Sequence, residues 1–408
     1  MEPPPRGARR PVKGRGRLLV AVATDSVGTG IFLPFTVLYF VHAAGLTAPA
    51  AGVALSAAGL LVIPAPLAVA PAIDRLPPRI VVAAGNLISC GAFAAYLFVH
   101  SEWAVTGAAV AAGVGQATFW TATRALIADV AGPEERRSWF ALQNAIRNAG
   151  YGLGGLAGAA ILTSHSLGSF KALAAADAAS YLGAALLLIS WHQPAGGRPP
   201  RPVGRRRVRS SYRSALADRP LLRISLINTM LVLCAQVLTV VLSVYVTGSL
   251  HLGAWIVGVL FTLNTVLIAG GQAPITSATR RIAHYQVLRG AAVIWAVAFG
   301  LLWAARVLPL DARVGVLVTS IVIFTVAEAL QGPVINAIVV GLAPEASPGA
   351  HLSVFQLSWS LGQAIAPAVL LGLLDAGSAW LWATTIGVCL AVLVALGHRS
   401  PLPSSGNS

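Results

Sequence analysis

Charged residues are scarce in this chain. Only 10% of its 408 residues are Asp, Glu, Lys or Arg, whereas 56% are hydrophobic and the mean hydropathy is +0.77. A soluble domain carries about a quarter of its residues as charged side chains, so this composition excludes an ordinary soluble fold. Because one membrane span needs about 20 apolar residues, the sequence predicts a helical protein that crosses the bilayer many times.

Cysteines and nucleotide-binding motifs are also scarce. Cys90, Cys234 and Cys389 lie in separate apolar runs without a paired spacing, so neither a disulfide framework nor a zinc site is predicted. The histidines form no metal-ligand spacing, and the sequence contains no Gly-x-x-x-x-Gly-Lys-Ser/Thr loop for phosphate. We therefore expect no enzymatic activity and no cofactor, with uphill work driven by a gradient of ions such as protons or of the substrate.

The apolar runs are broken by Gly, Pro and clusters of charge, and they predict twelve membrane-spanning helices. The first run follows a basic stretch but continues without a cleavage site of small residues, so a membrane helix is predicted there rather than a signal peptide. The predicted spans are 18–42, 48–72, 80–99, 103–129, 139–163, 169–191, 221–247, 253–277, 286–306, 314–341, 351–374 and 378–397.

Basic residues between the spans are distributed unevenly. With the N-terminus in the cytoplasm, only Lys171, Arg306 and Arg313 lie on the opposite side. The positive-inside rule then places both termini in the cytoplasm, and a composition rich in Ala, Gly, Arg and Pro favours a bacterial plasma membrane. The cytoplasmic basic residues are Arg6, Arg9, Arg10, Lys13, Arg15, Arg17, Arg75, Arg79, Arg136, Arg137, those from Arg198 to Arg223, Arg280, Arg281, Arg289 and Arg399.

The longest non-apolar stretch divides the chain into two halves. Residues 193–219 are rich in Pro, Gly and Arg and are predicted to be a cytoplasmic linker between two six-helix bundles, 1–192 and 220–398, with a cytoplasmic tail at 399–408. The run GRRRVRSSYR inside the linker is typical of a loop that sets membrane topology. Anionic lipid head groups are its expected partners, and nucleic acid is not.

An internal repeat supports the division. The segment from Ala125 to Gln143 recurs from Ala337 to Gln356, an offset of about 212 residues, and Gly150 corresponds to Gly362. The fourth and fifth spans thus correspond to the tenth and eleventh. Parallel repeats of this kind are typical of secondary transporters, with the substrate path between the halves. We predict an all-α membrane protein of twelve transmembrane helices in two pseudo-symmetric six-helix bundles, acting as a monomer.

The loop after the second predicted span reads APAIDRLPPR over residues 70–79. It resembles the Gly-x-x-x-Asp-Arg-x-Gly-Arg-Arg signature of the major facilitator superfamily, with both glycines replaced. The resemblance covers nearly the whole chain. It implies the major facilitator fold and a cytoplasmic gate that closes through contacts of Asp74, Arg75 and Arg79.

The fifth predicted span contains NAGYGLGGLAG at residues 148–158. It is similar to the Gly-Pro-x-x-Gly motif of bacterial drug:proton antiporter-like exporters, with Gly155 in place of proline, whereas the eleventh span keeps Pro367. Ala108 and Ala109 occupy the region of the fourth span where such antiporters often carry an arginine. The small residues also suit close helix packing. The resemblance implies proton-coupled efflux by alternating access.

Charged residues well inside the predicted spans number five, and each costs about 2.5 to 3.5 kcal/mol at a helix centre. Asp25, Arg124 and Arg147 lie at comparable depths in the first, fourth and fifth spans, in one layer about 10 Å from the cytoplasmic ends. Asp25 is predicted either to exchange a proton as an arginine approaches and leaves or to form a static salt bridge. Arg124 and Arg147 either take part in this coupling or only balance charge.

The other two charged residues are carboxylic acids in different settings. Glu328 is near the centre of the tenth span, with no basic residue at matching depth in its half, and is predicted to carry a proton or to recognise a cation. Asp177 is expected to be structural, because sixth helices in the major facilitator architecture lie away from the cavity. The predicted proton-coupling residues are therefore Asp25, Glu328, Arg124 and Arg147.

Polar side chains recur at helical spacing along four predicted spans, which places each set on one helix face. Each set alone is consistent with hydrogen bonds between helices, whereas the four together predict a common substrate cavity with aromatic walls. The predicted cavity residues are Gln116, Phe119, Trp120, Asn144, Asn148, Tyr151, Gln331, Gln356, Trp359 and Gln363.

Three functions agree with this pattern. The favoured one is a secondary transporter that exports small lipophilic or amphiphilic compounds in exchange for protons. The second is an importer of a nutrient such as a sugar or an organic acid, whose cavity would hold many hydrogen-bonding groups and few aromatic ones; the predicted cavity mixes both. The third is a receptor or lipid-handling protein that moves no solute.

Overall fold

The computed structural model describes residues 15–130, 136–164, 166–191, 215–342 and 348–397, and the regular structure in these ranges is helical. The predicted linker up to residue 214 and the predicted tail lie outside the described residues. Twelve helices follow one another in the chain: α1 (Arg15–Phe32 and Thr36–His42), α2 (Ala48–Val62 and Ala65–Arg75), α3 (Pro78–Tyr96), α4 (Glu102–Val130), α5 (Arg136–Ile161), α6 (Leu167–Ile189), α7 (Arg219–Ala235, extended to Ser249), α8 (Trp255–Ala278), α9 (His284–Ala304), α10 (Leu310–Leu342), α11 (Pro348–Ala376) and α12 (Ser378–Gly397).

Three of these helices are irregular. Proline lacks an N–H group and clashes with the preceding turn, so α1 tightens into a 3₁₀ turn around Pro34 and α2 bends by 42° beside Pro64. The far end of α7 widens into two π-helical turns, Val237–Val241 and Tyr245–Ser249. Such wide turns often occur at functional sites.

Helix starts in the loops are capped by side chains. Thr47 accepts a hydrogen bond from the backbone N–H of Ala50 at the start of α2, and Asp218 accepts one from Leu221 at the start of α7. A cap of this kind satisfies one of the free N–H groups in the first turn and stabilises the helix by about 1 kcal/mol.

Composition and length identify most of the twelve helices as membrane spans. Within the described residues nine helices are long and apolar enough to cross a bilayer, and the bent pair that forms α2 makes ten. The other two are α4 and α5, which carry the intramembrane arginines and much of the predicted cavity's polar lining. The polar side chains lower the mean hydropathy of both helices, although both pack inside the bundle.

The internal repeat is visible in three dimensions. The Tyr39 hydroxyl of α1 donates to the carbonyl of Tyr96 at the end of α3 (2.7 Å), and the Tyr245 hydroxyl of α7 donates to the carbonyl of Leu302 near the end of α9 (2.6 Å). Both bonds join residues 57 apart in sequence. The first and third helices of each half are therefore joined in the same way.

Glycines of the fifth and eleventh helices serve close packing. A Cβ at Gly150 would lie 2.6 Å from the Cβ of Ser26 in α1, and one at Gly154 would overlap the α1 backbone at Val27. The repeat counterpart Gly362 faces α7 in the same way, since a Cβ there would lie 2.9 Å from the Cβ of Val232. The small-residue motif of α5 thus brings α1 and α5 together.

The two halves meet mainly along two helix pairs, α2 with α11 and α5 with α8, and α1 also contacts α7. In the first pair a Cβ at Gly52 would lie 2.6 Å from the Pro367 carbonyl oxygen. In the second pair the Thr262 hydroxyl donates to the Gly152 carbonyl (2.9 Å). These close contacts lie toward the side of the bundle opposite the two chain termini. Among the described residues the halves are therefore joined on that side.

Candidate functional site

The polar face of α5 looks into the space between the halves. Asn144 is exposed, and Arg147, Asn148 and Tyr151 are partly exposed on the same face. Another face of the helix is apolar and also exposed, and only this face suits contact with lipid. Its exposed leucines are Leu142, Leu153 and Leu156. The exposure of the polar face therefore reflects an internal cavity.

α4 and α11 line the same space from the two halves. Gln116 and Arg124 are exposed on α4, with Trp120 partly exposed between them. On α11 Gln356 and Gln363 are exposed and Trp359 is partly exposed, whereas Leu357 and Leu361 cover the lipid-facing side. Because the halves are joined at the end away from the termini, the described helices leave the cavity open toward the side of the termini.

Two of the predicted cavity residues lie behind the wall. Phe119 is buried in the N-terminal half and packs edge-on against Trp120, with ring centroids 5.3 Å apart. Gln331 is buried in the C-terminal half, where its side-chain amide donates to Asn228 of α7 (3.4 Å). These two residues support the lining and do not themselves face the open space.

Arg147 joins three of the predicted site residues. Its guanidinium carbon lies 4.8 Å from the ring centroid of Trp120 and 5.9 Å from that of Tyr151. Its charge also acts on Asp25, a carboxylic acid of α1 that is only 8% exposed. No direct ion pair joins Asp25 and Arg147 in this conformation of the described residues. Arg124 lies one turn from Trp120 and is exposed to the cavity.

Glu328 has a different environment in the C-terminal half. Its carboxylate accepts a hydrogen bond from the side-chain amide of Asn264 in α8 (2.8 Å), and the same amide donates to the Thr325 hydroxyl (3.0 Å). Asn264 was not among the predicted site residues, although an amide in the middle of the apolar α8 was an available signal. Among the described residues the partners of Glu328 are neutral, so its carboxylate remains free to meet a proton or a cation.

The predicted cytoplasmic gate lies at the turn between α2 and α3. Arg75 ends α2 and is exposed, and Arg79 is partly exposed in the first turn of α3. The side chain of Asp74 lies outside the described part of the structure. For metal binding, the described residues contain no cluster of three or more His, Cys, Asp or Glu side chains.

The repeated halves, the interface of α2 with α11 and of α5 with α8, and the sequence point to one family. The sequence profile of the Major Facilitator Superfamily matches residues 18–303 and again 224–408. The chain belongs to the Major Facilitator Superfamily. Membership makes this protein a multi-pass membrane transporter with the major facilitator fold, as the sequence predicted. No curated protein matches this facilitator in sequence.

Solved structures resemble this protein over nearly its whole length. A variant of the nucleoside transporter NupG has a TM-score of 0.78 at 13% identity and covers 93% of this chain and 98% of its own. A variant of the peptide transporter POT has a TM-score of 0.75 at 17% identity, covering 95% of each chain. The human organic anion transporter MFSD10 (TETRAN) has a TM-score of 0.58 at 19% identity, covering 97% and 100%. Identities this low establish the shared fold alone.

Proposed function

We propose that this protein is a proton-coupled secondary transporter that exports small lipophilic or amphiphilic compounds by alternating access. The observation that carries the proposal is the position of Asp25, a nearly buried carboxylic acid of α1 near the guanidinium of Arg147, which lies on the polar face of α5. A carboxylic acid inside a membrane bundle marks a proton or ion pathway.

Proton binding at Asp25 changes what Arg147 can do. With Asp25 ionised, the guanidinium is attracted toward α1; with Asp25 protonated, it is free to interact with Trp120, Tyr151 or a substrate. Arg147 is on α5, which contacts α8 of the other half. A change in the partners of Arg147 therefore affects the α5–α8 interface, which must move when the cavity opens to the other side of the membrane. The proton and the substrate then both shift the equilibrium between these two conformations.

The lining of the cavity suits molecules that are partly apolar. Trp120, Tyr151 and Trp359 offer aromatic surface, and the cavity-facing amides of Gln116 and Gln363 offer hydrogen bonds. A few polar groups on an apolar wall orient a ligand without requiring one particular structure. Glu328 adds a site for a proton or for the cationic group of a substrate.

We further propose that the protein lies in the inner membrane of a bacterium as a monomer, with both termini inside. Under the positive-inside rule the basic clusters lie on the side of the termini, which is also the side toward which the cavity opens. Asp74, Arg75 and Arg79 would close that side in the opposite state. Anionic lipid head groups are the proposed partners of the basic linker.

The test uses purified protein in liposomes with an imposed pH gradient. Flux of a panel of lipophilic drugs and polar nutrients is recorded together with lumenal pH. Movement of a lipophilic compound opposite to protons supports the proposal. Absence of proton movement during substrate flux contradicts the coupling, and binding without counterflow of any compound would favour a receptor.

Nutrient import is the second candidate. It is favoured by the number of exposed amides in the cavity, Gln116, Asn144, Gln356 and Gln363, and by the likeness to structures named as nucleoside and peptide transporters. In the same liposomes an importer would move a polar nutrient together with protons, or without them, and would leave the lipophilic compounds behind.

A further inference from the structure

A second carboxylic acid lies buried beside the proposed coupling site. Asp177 of α6 is 1% exposed. Its Oδ1 accepts one weak hydrogen bond from the Ser180 hydroxyl (3.3 Å), whose shorter bond of 2.8 Å goes to the Asp177 backbone carbonyl. Its Oδ2 has no hydrogen-bond partner among the described residues. Burying a charged carboxylate without a nearby cation costs free energy. The position of Asp177 therefore indicates a role other than packing.

Asp177 lies against the same helix that carries Asp25. A Cβ at Gly28 of α1 would overlap the Ser180 side chain and would lie 2.8 Å from Oδ1 of Asp177, so Gly28 leaves room for this turn of α6 against α1. Gly28 and Asp25 are three residues apart and thus on neighbouring positions of one helix face. The two carboxyls act on each other electrostatically.

The titratable groups that face Asp177 come from each helix packed around it. They are Asp25 from α1, Tyr96 from α3, Tyr151 from α5 and Tyr181 on α6 itself. Arg147 acts on Asp25 and Tyr151. The guanidinium of Arg147 therefore faces one of the two carboxyls, Asp25, and not Asp177. With one proton on the carboxyls, the three groups have no net charge; with none, they leave one negative charge in the membrane interior.

A series of polar groups connects this region with the cavity. The Tyr181 hydroxyl, one helical turn from Asp177, forms a hydrogen bond with the Thr29 hydroxyl of α1 at 3.2 Å, and the side chain of Gln116 lies near it. Gln116 is exposed to the cavity. Water in the cavity therefore contacts a series of polar side chains that extends to within one helical turn of the Asp177 carboxyl.

We propose that Asp25 and Asp177 form one proton-carrying unit, in which the proton of the transport cycle is shared between the two carboxyls. This inference rests on the proposed proton coupling and adds Asp177 to it as a second proton-carrying group. Only O–H bonds form and break: a hydronium ion gives its proton to a carboxylate oxygen of the pair, and the pair returns it to water on the other side. Two strongly coupled carboxyls titrate as a pair and not separately.

The test replaces Asp177 by the isosteric Asn and measures the pH profile of proton-driven transport in liposomes. Removing one negative charge makes Asp25 easier to ionise, so the pH of half-maximal transport is expected to fall by about one unit. The matched control is Asp375→Asn, the same change at an exposed carboxylate at the end of α11, which is expected to keep the wild-type profile. Substrate counterflow reports whether each variant is folded and binds substrate.

An Asp177→Asn protein with counterflow and an unchanged pH profile would overturn the inference. If wild-type transport itself moves no protons, it is the proposed function that fails. Should Asp177→Asn not fold, pH-difference infrared spectroscopy of Asp25→Asn/Glu328→Gln answers instead, because Asp177 is then the remaining carboxyl deep in the bundle. A protonated carboxyl band that titrates in this protein supports the inference, and its absence contradicts it.

Discussion

Arg147 of α5 lies over the indole ring of Trp120 in α4, with its guanidinium carbon 4.8 Å from the ring centroid. A cation over an aromatic face gains about 0.5 to 2 kcal/mol, more as water is excluded. The contact fixes the charge in the cavity wall, close enough to act on Asp25 in α1. Three helices of the N-terminal half are thereby linked through one side chain.

Replacement of Arg147 by Lys should separate charge from geometry. Lysine keeps the positive charge but loses the planar group that stacks on an aromatic ring. We expect proton-driven transport to fall by about tenfold, the equivalent of 1.4 kcal/mol and within the range of the lost stacking. The matched control is Arg124→Lys, which changes an exposed cavity arginine that has no ring contact among the described side chains, and it is expected to lose less than twofold. Equal losses in the two variants would contradict the role of the Trp120 contact.

Glu328→Gln should change substrate preference. The variant keeps the shape of the side chain and removes its ability to carry a negative charge. A hydrogen bond to a charged group contributes about 1.5 to 3 kcal/mol, so affinity for a cationic substrate is expected to fall by about 10- to 100-fold while a neutral analogue binds as before. Competition binding with the two compounds measures this. A parallel loss for both compounds would show that Glu328 does not recognise positive charge.

Gly52→Val should weaken the observed conformation. A Cβ at this position meets the Pro367 carbonyl oxygen of α11 at 2.6 Å, and overpacking of this kind costs about 1 to 3 kcal/mol. The ratio of conformations is expected to shift by about 5- to 150-fold toward closure on the side of the termini. Spin labels at the exposed Ala145 and Leu352 measure it as a shorter distance.

The matched control for this shift is Val53→Leu, because Val53 is the neighbouring residue and is exposed. It is expected to keep the wild-type distance distribution. A wild-type distribution in Gly52→Val itself would mean that the crossing of α2 and α11 does not hold the halves in this conformation.

Membrane orientation can be tested with single cysteines. Ser101, between α3 and α4, and Pro77, between α2 and α3, are exposed and lie on opposite sides of the bundle. The positive-inside rule places the Pro77 side in the cytoplasm. In a background without native cysteines, a membrane-impermeant maleimide added to intact cells is expected to label Ser101→Cys and not Pro77→Cys. The reverse pattern would mean an inverted topology.

The sequence predicted the fold because its signals are local. Apolar runs and the signature loop each depend on neighbouring residues, and the repeat compares two such segments. The match to the superfamily over residues 18–303 and 224–408 confirms the predicted fold. The stripe from Asn144 to Tyr151 was likewise readable from helical spacing, and these residues share one face in the structure. The hydropathy of α4 and α5 is too low to identify them as membrane spans, because both helices carry polar faces that point into the bundle.

The side chains that interact with the charged residues were harder to predict from the sequence than the fold. Asn264 and Glu328 are 64 residues apart on different helices, and nothing in the local sequence connects them. Phe119 and Trp120 are adjacent, yet only Trp120 borders the cavity, since one residue rotates the side chain by about 100° around the helix. Asp177 was expected to be structural from its helix alone; the contact with Gly28 that places it beside Asp25 depends on how α1 and α6 pack.

The most direct test of proton coupling compares wild type and Asp25→Asn in liposomes. Accumulation of a transported compound against its gradient, driven by an imposed pH gradient, is measured beside counterflow without one. We expect wild type to accumulate the compound, whereas Asp25→Asn exchanges it in counterflow but no longer accumulates it. An Asp25→Asn protein that accumulates the compound with the wild-type pH dependence would contradict proton coupling through Asp25.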